Sequence, residues 1–159
     1  MANNFHKFLA TGFGSGYFPV GPGTAGSITA CLILWWLHQL APIHFPGQFP
    51  YIYWFLVLIL AFFFVGVFVS NKLEQEWGHD PSKIVIDEIV GMWIAFLAIP
   101  FDWTYLVIAF LLFRFFDILK PLFIKRAEKL KAGWGVMVDD VIAGIYTNVI
   151  LQIIILLGF

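Results

Sequence analysis

Two stretches of this chain run without a charge for far longer than a soluble fold usually tolerates. Tyr51 to Ser70 is 20 residues and Val141 to Phe159 is 19. Each matches the ~20 residues a helix needs to cross ~30 Å of hydrocarbon. A backbone in hydrocarbon must satisfy its own hydrogen bonds, which within one segment only a helix does. A third stretch, Thr24 to Ala41, is uncharged and slightly short. It follows Pro22 and Gly23, with Thr24 placed as an N-cap. The apolar region from Ile84 to Leu119 is broken by Pro100 and Asp102 and reads as two helices joined by a tight turn. Composition agrees: 61% of residues are hydrophobic and 12% charged, against about 25% charged in a soluble domain.

The expectation is therefore an all-α, polytopic integral membrane protein. About five hydrophobic helices, near 24–41, 51–70, 84–99, 103–119 and 137–158, follow a glycine-rich segment over 1–23 in one domain, 1–159. That first segment has only a short apolar patch and no cleavable leader, so insertion is expected of the helices themselves. Aromatic residues make up 19%, which suits lipid contact and membrane interfaces. A net charge of −1 supplies no basic field for nucleic acid. A single cysteine, Cys31, excludes an internal disulfide and any cysteine-based metal cluster. Nothing in the sequence points to a protein partner.

Charge asymmetry between the loops gives an orientation. Lys7, Lys72, Lys83, Lys120, Lys125, Arg126, Lys129 and Lys131 fall on one side, and the opposite segments APIHFPGQFP and IPFDW contain no Lys or Arg. The positive-inside rule assigns the basic side to the cytoplasm, and the basic loop there is expected to touch anionic lipid heads. On the same side lie Asp87 and Glu88, Arg114, Asp117 and Lys120, then Asp139 and Asp140, each set at a helix end. The glycine-rich segment enters from that side too.

A charge at the centre of a membrane helix costs at least ~2.5 kcal/mol, so such residues face one another, water or a ligand. Five carboxylates gathered together repel, and a hard divalent cation such as Mg²⁺, which takes oxygen ligands, relieves the repulsion. Arg114 and Lys120 then remain to meet an anion: Arg offers a planar fork for phosphate oxygens and Lys a point charge. Arg114, Asp117 and Lys120 are spaced i, i+3, i+6 and share a helix face. Taken singly, each piece has a duller reading. The Arg114–Asp117–Lys120 run fits a surface ion-pair ladder, and the paired acids fit helix N-termini that complement the dipole. His79 and Asp80 fit either outer ligands or a turn before Pro81. Unrelated surface charges, however, have no reason to gather at one end of every helix while the other ends stay almost bare.

Four segments, TGFGSGYFPVGPGTAGS (Thr11 to Ser27), HDPSKIVIDEIVGMW (His79 to Trp93), FRFFDILKP (Phe113 to Pro121) and GWGVMVDDVIAG (Gly133 to Gly144), resemble the phosphatidylglycerophosphatase A family. The resemblance extends over nearly the whole chain and meets no departure at the charged positions. It implies a Mg²⁺-dependent lipid phosphatase of the bacterial cytoplasmic membrane that converts phosphatidylglycerophosphate to phosphatidylglycerol and inorganic phosphate. Asp87, Glu88, Asp117, Asp139 and Asp140 form the expected pool of metal ligands and bases. Arg114 and Lys120 are expected to hold phosphate. Gly14, Ser15, Gly16, Thr24 and Ser27 are expected to supply backbone and hydroxyl donors near the positive end of the first helix. No familiar phosphatase signature is present, which leaves two nucleophiles open: a metal-activated water with a carboxylate base, or an Asp that forms a phospho-enzyme.

Two other readings compete with this one. A CDP-alcohol phosphotransferase also groups Asp residues at a membrane surface, but its D-G-x2-A-R pattern is absent. A small cation or proton transporter needs polar groups along its whole path, and the outer helix halves hold almost none beyond Asp102.

Overall fold

A computed structural model describes residues 3–40, 50–78, 81–127, 130–131 and 133–158. His79, Asp80 and Lys129 lie outside them. Helices are the regular elements of the described residues, with no strand among them: α1 (Asn4–Ala10), a 3-10 turn at Ser15–Tyr17, α2 (Pro22–Leu40), α3 (Tyr51–Trp77), α4 (Ile86–Ala95), α5 (Trp103–Leu119), α6 (Ile124–Ala127) and α7 (Gly133–Leu156).

Of the about five hydrophobic helices expected, two among the described residues, α3 and α7, are long and apolar enough to cross a membrane. At 1.5 Å per residue they extend about 40 and about 36 Å. α3 runs past Ser70 because nothing breaks it before Gly78, whose positive φ of 88° ends the helix. α7 begins before residue 137, at Gly133, whose N–H donates to the Asn71 side chain of α3 at 2.8 Å. α5 covers the expected residues, capped by the Asp102 carboxylate, which accepts from the Thr104 N–H at 2.7 Å. That bond holds the Asp102 carboxyl below its ordinary range.

α4 departs most from expectation. It has 10 residues, about 15 Å, and stops at Ala95 rather than near Ile99. The chain then turns through Ala98, whose φ is +59°. Eight of its residues are buried, among them Ile89, Met92 and Trp93. A helix that ends inside a protein leaves carbonyls without partners. Here Asn148 of α7 supplies them: its amide donates to the carbonyls of Ala95 at 3.1 Å and Leu97 at 2.8 Å.

α4 and α7 pack closely and in parallel. A Cβ on Gly91 would lie 2.8 Å from the Asp140 carbonyl oxygen, and one on Gly144 would collide with the Gly91 carbonyl. Small residues let two backbones approach in this way. Ala95 with Asn148, and Gly91 with Gly144, share one register. Another turn toward the start of both helices brings Asp87 to Asp140.

Candidate active site

Four helix ends converge on a group of buried charges. Asp87 and Glu88 open α4, and Asp140 lies in the second turn of α7. One carboxylate oxygen from each of these three comes within 4.8 Å of the others. Asp87 and Asp140 are buried and Glu88 is nearly so. Asp87 Oδ1, Glu88 Oε2 and Asp140 Oδ2 are buried without a hydrogen-bond partner. Buried polar atoms are rarely left so, and several together ask for an ion or ligand. Three carboxylates at this spacing form a donor set of the type that Mg²⁺ accepts.

The other two expected acids hold the cations. Arg114 donates to Asp117 at 2.6 Å and lies 3.9 Å from Glu88. Its Nε–H is buried without an acceptor. Lys120 meets Asp139 at 2.7 Å, and the other Asp139 oxygen accepts the Asp140 N–H at 3.0 Å. Lys120 is the left-handed C-cap of α5, with φ +45°. For a residue with a Cβ that conformation is uncommon. Strain of this kind gathers at functional sites. It bends the chain at Lys120–Pro121 as the side chain reaches across to α7.

The glycine-rich segment approaches the same group, though not through all the residues expected. A Cβ on Gly23 would collide with the Glu88 carboxylate and lie 3.1 Å from the Arg114 guanidinium. Gly23 is therefore the glycine that lets α2 start against the charged cluster, and sequence reasoning missed it. Gly16 is held tightly against the Lys83 carbonyl. The Ser27 hydroxyl is buried and donates to the Gly23 carbonyl at 2.9 Å, and Ser15 donates to the Gly12 carbonyl at 2.9 Å. Gly14, Ser15 and Thr24 line a cavity of about 360 Å³ beside the start of α2.

The sequence pattern of the family described as phosphatidylglycerophosphatase A matches residues 8–155. A protein of Bacteroides thetaiotaomicron, provisionally named a phosphatidylinositol-3-phosphatase, is 44% identical over 149 residues, covering 91% of this chain and 90% of its own. The phosphatidylglycerophosphatase A of Haemophilus influenzae is 39% identical, covering 94% of this chain and 88% of its own. That of Escherichia coli is 36% identical, covering 97% and 85%. No solved structure matches the chain.

Proposed function

The chain belongs to the phosphatidylglycerophosphatase A family, and from that premise we propose that it hydrolyses phosphatidylglycerophosphate to phosphatidylglycerol and inorganic phosphate. One observation carries the reading to this site: three carboxylates, each with a buried oxygen that lacks a partner, cluster within 4.8 Å beside an Arg with an unpaired N–H. Asp87, Glu88 and Asp140 would hold Mg²⁺, which when bound polarises a phosphoryl oxygen and offsets its charge. Arg114 presents a hydrogen-bond donor to the phosphate, oriented by Asp117. Lys120, steadied by Asp139, adds positive charge. In the balanced reaction the bond between phosphorus and the terminal glycerol oxygen breaks. Water supplies the new phosphate oxygen, and a proton ends on the released glycerol hydroxyl.

The protein embeds in the cytoplasmic membrane in this reading, with its charged end toward the cytoplasm. α3 exposes Trp54, Val57, Leu60, Phe64 and Phe68, and α7 exposes Ile145, Val149, Ile153 and Leu156. Apolar stripes of that size suit lipid. Lys72, Lys83, Lys120 and Lys125 lie at the end that carries the site, which the positive-inside rule turns inward.

The Bacteroides relative's name raises a second substrate, phosphatidylinositol 3-phosphate, also a phosphomonoester on a lipid head group. The test is phosphate release by purified protein from each lipid, with Mg²⁺ and with EDTA. Faster release from phosphatidylglycerophosphate, lost in EDTA, is expected. Preference for the inositol lipid reassigns the substrate, and release from neither removes the proposal.

A further inference from the structure

α2 leads away from the charged cluster and α5 returns to it, side by side. Ile28, Leu32 and Trp35 recur at helical spacing on α2, and Trp103, Val107 and Phe110 do so on α5. Together they line a cavity of about 240 Å³. No charged, hydroxyl or amide side chain lines it. Leu32 and Val107 are more than half exposed, so the groove opens sideways. At the far end the rings of Trp35 and Trp103 stand 6.4 Å apart.

The near end points at the site. Phe110 lies one turn before Arg114 on the same face of α5, about 6 Å along the axis. Ile28 lies one turn beyond Thr24 and also lines the cavity beside the glycine-rich segment. Charge at one end and a purely apolar track leading away from it match an amphiphile. A soluble phosphate ester would leave the track unused.

We infer that the α2–α5 groove holds an acyl chain of the phospholipid substrate, with Trp35 and Trp103 closing its far end. The inference rests on the lipid phosphatase reading above and adds where the tail lies. From Arg114 back to Trp103 the track is about 16 Å long, so chain length matters to its occupancy.

The full chain is placed in phosphatidylcholine nanodiscs with phosphatidylglycerophosphate carrying a mid-chain diazirine, and adducts are mapped after irradiation. Adducts concentrated on Leu32, Trp35 and Val107 are expected. Adducts on the outer faces of α3 and α7 instead overturn the inference. In parallel, Val107→Trp fills the groove and Ile153→Trp adds the same bulk on exposed α7. The ratio of kcat/KM for dioleoyl over dihexanoyl substrate should fall about tenfold or more in Val107→Trp, as burial of several methylenes is lost. In Ile153→Trp it should match wild type. A wild-type ratio in Val107→Trp, or an equal fall in both variants, overturns the groove. Groove adducts in a protein that releases no phosphate sink the phosphatase reading and leave the groove standing.

Discussion

Arg114 touches both kinds of acid in the cluster, donating to Asp117 at 2.6 Å and standing 3.9 Å from Glu88. Its unpaired Nε–H makes geometry as important as charge. Arg114→Lys keeps the charge and loses the planar fork. If the guanidinium grips phosphate mainly in the transition state, kcat should fall about 100-fold while KM changes little. Steady-state hydrolysis checks this, and a wild-type rate would reduce Arg114 to a partner for Asp117. The three clustered carboxylates make a different prediction. Asp87→Asn and Asp140→Asn should raise the Mg²⁺ concentration for half-maximal rate and lower kcat by about 100-fold or more, in protein that remains folded. Arg114→Lys should leave that Mg²⁺ concentration where it was. Titrating Mg²⁺ against rate for all three variants separates the roles. An unchanged metal requirement in both Asp variants would argue against these ligands.

α4 shows why some elements escaped sequence reading and others did not. The boundaries of α5 were legible because Asp102 caps its start and Pro121 follows its end, both local signals. The end of α4 depends on Asn148, more than 50 residues away, which sequence spacing alone does not connect to it. The same holds for Asn71 at the start of α7. α1 is hard to read from sequence although Asn3 and His6 form a reciprocal cap, because a histidine is an unusual partner there. At the site, the acids and cations stood out by charge. Their division into a trio of clustered carboxylates and the close Arg114–Asp117 and Lys120–Asp139 pairs came only from packing, as did the seat of Gly23 under Glu88. Asn148→Leu keeps a similar volume and strips two carbonyls of their donor. Leaving a buried acceptor unsatisfied costs about 1–3 kcal/mol, so the unfolding free energy in detergent should fall by about that much for each carbonyl, seen as a lower denaturant or thermal midpoint. Activity should fall with it, since the end of α4 is tied to the placement of Asp87. Wild-type stability in Asn148→Leu would mean that the turn finds other donors.

At the scale of the whole molecule, one end gathers nearly everything polar. α1 joins that end through the ion pair between Lys7 and Glu76 near the close of α3. Lys125 and Arg126 are exposed on the short α6, between the returning α5 and the departing α7. The opposite end, around Pro100 and Asp102, presents no Lys or Arg among the described residues. An orientation follows that accessibility can test. In a Cys31→Ala background, a single cysteine is placed at Lys125 or at Pro100, both exposed. A membrane-impermeant maleimide applied to intact cells should label Pro100→Cys and miss Lys125→Cys. After the membrane is opened it should label both. Lys125→Cys reactive in intact cells, with Pro100→Cys silent, would turn the charged end outward, contrary to the loop asymmetry. Labelling of both in intact cells would mean that no membrane lies between the two ends, and the stripes on α3 and α7 would need another partner than a bilayer.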